Sequence, residues 1–177
     1  MAVKTHPTSG RPYVTLTSRS YNFRPSLDRK VHVVCGGGTG RGLIESLVEI
    51  GYQVSCGVVN VQDSDWETAR RFDLEVVVEA PFAPISEEKY KSNLEEINQA
   101  DTVVLTDIPL GRGNLYNIQA VKKAVELGKE VLVINKTGIE EKDYTAGEGR
   151  EKFEELVNRE EVTVVKSESE ALEELAE

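Results

Sequence analysis

Six short runs of apolar, largely β-branched residues recur from residue 31 onward, each followed by a longer and more polar segment. The runs are continuous rather than alternating, which is typical of strands buried on both faces of a parallel sheet. Joined by right-handed crossovers, they predict a doubly wound, mostly parallel, Rossmann-like α/β fold of strand order 3-2-1-4-5-6 with helices on both faces. The predicted strands are Val31–Cys35, Gln53–Val59, Leu74–Val78, Thr102–Thr106, Glu130–Ile134 and Val162–Val165.

Turn and capping residues divide the chain further. Prolines and glycines interrupt residues 1–30, where only the stretch 13–16 resembles a strand, so we expect a tail or linker there. Residues 31–177 have a length typical of one domain, which we expect to bind a ligand. Helix starts are predicted at Ser64 with Glu67, Ser86, Asn114, Thr145 with Glu148, and Ser167 with Glu170, and a helix end at Gly128.

Charge and hydropathy exclude two classes of function. The net charge is −10, and residues 1–30 hold six of the 21 basic residues but one of the 31 acidic residues, so the remaining body is strongly acidic. Nucleic-acid binding needs a basic footprint, which this body lacks. No apolar run approaches the roughly 20 residues that span a bilayer. Since the first residues also lack the apolar segment of a signal peptide, we expect a cytoplasmic protein.

The segment after the first predicted strand is the strongest candidate site. Its glycines allow positive φ and close approach to a ligand, and the helix after it offers N–H groups and a positive dipole end to an anion. In this fold the loops after strands one and four flank the point where ligands bind. We predict a small anionic ligand, for which a nucleotide or dinucleotide would fit, while a ligand-free turn is the alternative. The residues are Gly36, Gly37, Gly38, Thr39, Gly40, Arg41 and Gly42.

Known nucleotide-binding motifs match this segment only in part. The third glycine of G-x-G-x-x-G would fall at Arg41, and no Lys-Ser/Thr pair follows as in a Walker A loop. Gly36, Gly40 and Gly42 have the G-x-x-x-G-x-G spacing of short-chain dehydrogenases, but no tyrosine has a lysine four residues later. No acid–base pair is evident, Cys35 and Cys56 are expected to be buried thiols, and no metal site is predicted. The sequence favours binding over catalysis.

Polar residues follow the neighbouring strands at the same predicted edge. Asp107 is a candidate acceptor for a sugar or amine, and Arg112 a candidate clamp for phosphate or carboxylate. Asp63 or Asp65 would meet ribose hydroxyls, or Asp65 only stabilises a helix N-terminus. The candidates after strands two and four are Asn60, Asp63, Asp65, Asp107, Gly111, Arg112 and Asn114, and Lys136 after strand five adds a cation.

Several motifs together resemble a known family. Residues 6–14 (HPTSGRPYV) resemble the segment that closes many ATP-binding subunits of iron-chelate and cobalamin uptake ABC transporters. The body resembles a C-terminal accessory extension on some of these subunits. Its matching stretches are the glycine segment 36–42, then GVVN at 57–60, DSDWE at 63–67, PFAPIS at 81–86 and DIPLGRGN at 107–114.

The resemblance spans about residues 6–135 and implies a fragment or free-standing copy of that accessory domain, with residues 1–30 as the end of an ATPase-like domain. Its partners would be the ABC ATPase core and a membrane permease. The Walker A, signature and Walker B motifs are lacking, so the family's ATPase residues do not carry over.

Three hypotheses follow. The first is a regulatory, ligand-sensing module of an ABC importer. The second is a nucleotide-dependent oxidoreductase or transferase. The third is a domain for homo-oligomerisation whose glycines only turn the chain.

Overall fold

A computed structural model describes residues 3–5, 12–14, 28–58, 62–78, 94–110, 115–144 and 148–177. Near the N-terminus, β1 (Val3–Thr5) and β2 (Pro12–Val14) pair antiparallel. The strand predicted at 13–16 overlaps β2, its second half lies outside the described residues, and the sequence did not predict β1. The division into a tail and a ligand-binding domain stays a prediction.

Six parallel strands form the main sheet in the order β5-β4-β3-β6-β7-β8, so the predicted 3-2-1-4-5-6 topology and Rossmann-like class are confirmed. At the centre of the sheet, Val33 lies opposite Cys56 on one side and Val104 on the other. The strands are β3 (Lys30–Val34), β4 (Gln53–Val58), β5 (Glu75–Val78), β6 (Thr102–Leu105), β7 (Glu130–Ile134) and β8 (Val162–Val165).

Helices cover both faces of this sheet: α1 (Arg41–Ile50), α2 (Ser64–Arg71), α3 (94–99), α4 (Leu115–Glu126), α5 (Gly149–Val157) and α6 (Glu168–Glu174). Because side chains alternate along a strand, Val33 packs with α1, α2 and α6, whereas Val34 packs with α3, α4 and α5. The last helix therefore returns to the face of the first. In the part of the chain that the structure describes, no helix is long and apolar enough to cross a membrane.

The helix starts differ in part from those predicted. Asp63, not Ser64, is the N-cap of α2, so the predicted Ser64 capping box is wrong. The Ser64 hydroxyl instead lies against Gly38 of the glycine segment. Ser167 caps α6 as predicted, and its hydroxyl accepts the Glu170 N–H at 3.1 Å. Glu148 is itself the N-cap residue of α5 and makes no side-chain cap bond, so the predicted capping box of Thr145 with Glu148 is wrong. The predicted caps Ser86, Asn114 and Thr145 lie outside the described residues.

The end of α6 is fixed to the amino edge of the sheet. The Leu175 carbonyl accepts a hydrogen bond from the Tyr52 hydroxyl at 3.0 Å and another from the Arg29 guanidinium at 2.9 Å. Leu175 itself is buried in the core beside α1. These contacts hold the start of α6 over the carboxyl ends of β7 and β8, where the candidate site lies.

Candidate functional site

The glycine segment forms the turn between β3 and α1, as the sequence predicts. Gly37 and Gly38 have φ values of +67° and +79°, a conformation that side chains other than glycine rarely adopt. The Thr39 hydroxyl donates to the Gly36 carbonyl at 2.7 Å and lies 2.7 Å from the hydroxyl of Thr106, which follows β6. The loops after the first and fourth strands of the sheet therefore meet, as expected at the switch point.

Carboxylates from the start of α2 occupy the backbone N–H groups of this turn. Asp63 accepts from the N–H of Gly37 at 2.7 Å and of Gly38 at 3.2 Å. Asp65 Oδ1 accepts from the N–H of Gly40 at 3.0 Å. The expectation that these N–H groups are free for a ligand is therefore corrected, because β4 lies beside β3 and brings the loop after it against the turn. Asp63 and Asp65, which the sequence predicts to meet ribose hydroxyls, bind the backbone of this turn instead.

Asp65 lies in an environment that disfavours its charge. It is fully buried, and its second oxygen has no hydrogen-bond partner among the described residues. Burial, and next the negative charge of Asp63, raise the pKa of Asp65 from 3.8 to about 6, against the lowering effect of the Gly40 N–H. Asp65 is therefore a buried carboxyl group with a pKa of about 6, well above that of an ordinary aspartate.

The two cysteines lie near this carboxyl group, whose charge acts on both of them. Both are buried free thiols, as predicted. Burial raises the pKa of Cys56 to about 12 and that of Cys35 well above its ordinary value. Since the thiolate is the nucleophile, neither thiol is poised for catalysis at neutral pH.

Packing gives the glycines a role that needs no ligand. A Cβ atom at Gly38 would lie 2.6 Å from Ser64 Oγ, and one at Gly40 would lie 2.7 Å from Cys35 Cβ. A Cβ atom at Gly42 would meet the side chain of Glu168 from α6. The glycines thus permit close approach of α2, β3 and α6 to the turn.

A buried ion pair orders the loop after β6. Asp107 accepts from Lys142 Nζ at 2.6 Å and from the N–H of Thr137 at 3.1 Å. The Lys142 side chain is 2% exposed, donates also to the Ile108 carbonyl at 3.0 Å, and lies 5.1 Å from the ring centroid of Phe153. No pattern marked Lys142, because it stands in an acidic and polar stretch of sequence. Asp107 therefore has a structural partner that the sequence prediction did not include.

A cleft of about 310 Å³ opens at the carboxyl ends of the central and outer strands. Hydroxyl groups, one ammonium group and two carboxylates line it, with an apolar floor at the end of β7. Its lining residues are Thr39, Asp107, Ile134, Lys136, Ser167, Glu168 and Ser169. The sequence predicted Thr39 and Asp107 as binding residues and noted Lys136. The start of α6 was predicted only as a capped helix, since its return to the α1 face is a tertiary feature.

A sequence model of the MJ0874 family matches residues 54–172, more than half of the chain. The chain belongs to the MJ0874 family. The matched residues of this MJ0874-family chain include Asp63, Asp65, Asp107 and the start of α6, and begin after the glycine turn. An uncharacterized protein, MJ0874 of Methanocaldococcus jannaschii, is 28% identical over 75 residues, which are 42% of this chain and 81% of that protein.

A second relative links the chain to a transport protein. Cobalamin import ATP-binding protein BtuD of Halobacterium salinarum is 37% identical over 87 residues, which are 49% of this chain. The match spans only 21% of BtuD. The MJ0874-family chain is therefore similar to one part of that ATP-binding protein.

Two solved structures are similar in fold to parts of the MJ0874-family chain. An imine reductase variant from Myxococcus stipitatus in complex with NAD+ has a TM-score of 0.46 at 13% identity, over 77% of this chain and 39% of that one. The glycotransferase of kitacinnamycin has a TM-score of 0.38 at 12% identity, over 60% of this chain and 30% of that one. Neither similarity bears on function.

The structure brings together the glycine turn, Asp63, Asp65 and Asp107 of the predicted site. The side chain of Arg41 is 63% exposed and pairs with Glu45 at 3.3 Å, so it lies along α1. Four predicted site residues lie outside the described residues: Asn60, Gly111, Arg112 and Asn114. Within the described ranges, no group of three or more His, Cys, Asp or Glu is placed to hold a metal ion.

Proposed function

We propose that this chain is an accessory domain that binds a small polar ligand and acts with the ATP-binding protein of an iron-chelate or cobalamin ABC importer. The observation that carries the proposal is the polar cleft at the carboxyl edge of the sheet. In open α/β sheets, ligands bind in the crevice at the topological switch point. The ligand would lie between Thr39 and the start of α6, within reach of Lys136.

The size and chemistry of the cleft support this role. Its volume of about 310 Å³ is at the lower end of the roughly 300–1,000 Å³ of small-molecule pockets. The hydroxyls of Thr39, Ser167 and Ser169 both donate and accept hydrogen bonds, whereas the Lys136 ammonium only donates. A small ligand with several polar groups would find partners on three sides. The Ile134 side chain would contact its apolar part.

The similarity to BtuD supports the importer context. An ATP-binding protein of an importer works with a membrane permease, so we propose both proteins as partners and the cytoplasm as the location. The domain would report its ligand to the ATPase core. Binding of the ligand to the domain would be coupled to the ATP site of that core through a coupling free energy. Ligand occupancy would then change the rate of ATP hydrolysis.

A thermal-shift screen of the purified chain tests the binding role. The panel is adenosine, AMP, ADP, ATP, NAD, NADP, FAD, S-adenosylmethionine, cobalamin and citrate. A ligand at 100 times its Kd stabilises the fold by about 2.7 kcal/mol. For a chain of this size, that corresponds to a rise in Tm of roughly 5–11 °C.

A matched pair of lysine variants locates the site. Lys136→Ala should weaken binding of the ligand found in the screen, whereas Lys129→Ala, at the opposite end of β7, should leave it unchanged. Equal effects of the two variants would contradict the cleft as the site. If no compound raises the Tm, that result would favour the hypothesis that the domain serves homo-oligomerisation. Turnover of a nicotinamide cofactor with a small carbonyl substrate would instead favour an oxidoreductase.

A further inference from the structure

The glycine turn has the geometry of an anion site that is already filled. The successive residues Gly37 and Gly38 direct their N–H groups to the two oxygens of one carboxylate, and successive N–H groups in a turn can form a concavity that binds anions. The carboxylate is that of Asp63. The same carboxylate also accepts the Asp65 N–H at 3.0 Å and so caps α2.

A further N–H group of the turn is occupied as well. Gly40 donates to the buried Asp65, and Glu168 from α6 lies against Gly42, at the start of α1. Arg41, the cation of this segment, pairs with Glu45 along the helix and points away from the turn. Three carboxylates from two other elements therefore surround the positive end of α1.

We infer that Asp63 is a specificity-determining residue that fills the phosphate position of the glycine turn and excludes phosphorylated ligands from it. The inference rests on the proposed function, because Thr39 of the same turn lines the proposed cleft. Asp63 already accepts from the N–H groups of Gly37 and Gly38, so a phosphate would compete for the same donors and be repelled by a like charge. A ligand that reaches from the cleft to these N–H groups therefore belongs to the class of non-phosphorylated polar compounds, neutral or cationic on the side that faces the turn.

Asp63 is not easily displaced from this position. It makes three charge-assisted hydrogen bonds to backbone N–H groups, one of which caps α2, so its departure would leave three donors without their acceptor. A phosphate would have to replace all of these contacts. The turn is therefore preorganised around its own carboxylate.

A titration with pyrophosphate, followed through the backbone amides of the ¹⁵N-labelled chain, tests the inference. The wild-type protein should show no saturable shift of the Gly37, Gly38 and Gly40 resonances at millimolar pyrophosphate. Asp63→Asn removes the charge at nearly constant shape, and Asp63→Ser removes it while keeping a residue that caps helices well. Both should bind pyrophosphate at least tenfold more tightly than the wild type, with shifts at Gly37 and Gly38.

The control is Glu67→Gln, which removes the same charge from the first turn of α2 without touching the glycine turn. It should behave like the wild type. Saturable binding of pyrophosphate to the wild-type turn would overturn the inference. So would folded Asp63 variants, identified by dispersed spectra, that gain no affinity. If both variants unfold, the wild-type titration alone decides.

The inference and the proposed function fail in different ways. If ADP stabilises the wild type and shifts the Gly37 and Gly38 resonances, while adenosine does neither, the binding role stands and the exclusion of phosphate is wrong. If the pyrophosphate results are as expected and no compound binds the cleft, the exclusion stands and the binding role is wrong.

Discussion

Adding one methyl group at Gly40 should destabilise the fold, whereas the same change at Gly42 should not. The Cβ of Gly40→Ala would lie 2.7 Å from Cys35 Cβ and 2.8 Å from its sulfur. Gly40 has φ −88°, so backbone strain plays no part and the effect is steric. Cys35 is fully buried in the core and has no room to withdraw. Overpacking of this kind costs about 1–3 kcal/mol.

The matched variant Gly42→Ala meets a different neighbour. Its Cβ would contact the Glu168 carboxylate, the far end of an exposed and flexible side chain that can move. Gly42 lies within α1, where alanine is favoured over glycine by up to about 1 kcal/mol. We expect Gly42→Ala to be neutral or slightly stabilising.

Urea unfolding and thermal unfolding, both followed by circular dichroism, compare the two variants with the wild type. Gly40→Ala should lower the free energy of unfolding, and its Tm should fall by roughly 2–12 °C. Equal stability of Gly40→Ala and wild type would refute the packing argument. Equal losses in both variants would refute the distinction between a rigid and a mobile neighbour.

Two further predictions concern buried charges. Because the folded-state pKa of Asp65 is raised from 3.8 to about 6, its contribution to stability falls as pH rises between these values. The free energy of unfolding of Asp65→Asn should therefore rise relative to that of the wild type between about pH 4 and pH 6. In urea unfolding the change should amount to at most roughly 3 kcal/mol. A difference that does not depend on pH would contradict this prediction. Lys142→Met should cost about 2–4 kcal/mol, since it leaves Asp107 without its cation, whereas Lys136→Met at an exposed site should change stability by less than about 0.5 kcal/mol. Similar losses in the two lysine variants in thermal unfolding would refute the role of the Asp107 pair.

The sheet was predictable because its signal is local. An apolar run such as 131–134 (VLVI) is continuous, so both of its faces had to be covered, and glycine or capping residues separate such runs from the helices. The strand order then followed from the right-handed crossover. The position of the glycine turn at the switch point followed from the same topology.

The partners of the glycine turn were harder to predict. Asp63 contacts Gly37 and Gly38 across 26 and 25 positions of sequence, and the contact accompanies a start of α2 one residue earlier than a capping box at Ser64 would suggest. Propensity does not distinguish Asp63 from Ser64 as the cap, because both residue types cap helices well. The hydrogen bonds of Asp63 to the glycine turn favour Asp63 over Ser64 as the N-cap of α2.

The buried lysine and the wall formed by α6 left no sequence signal. Lys142 is buried because Asp107 and the Ile108 carbonyl of one loop and the Phe153 ring of α5 surround it, and both segments are distant from it in sequence or element. Ser167 and Glu168 reach the cleft because α6 returns to the face of α1. Neither arrangement has a periodicity that could be recognised in the chain.

The binding of a small polar ligand in the cleft is most directly tested by mapping amide shifts in the ¹⁵N-labelled chain. The compound with the largest thermal shift would be titrated against the wild type. We expect saturable shifts that cluster at Thr39, Lys136 and the start of α6, with little change at the amino edge of the sheet around Tyr52. Saturable shifts confined to another surface, or none with any compound, would contradict this expectation.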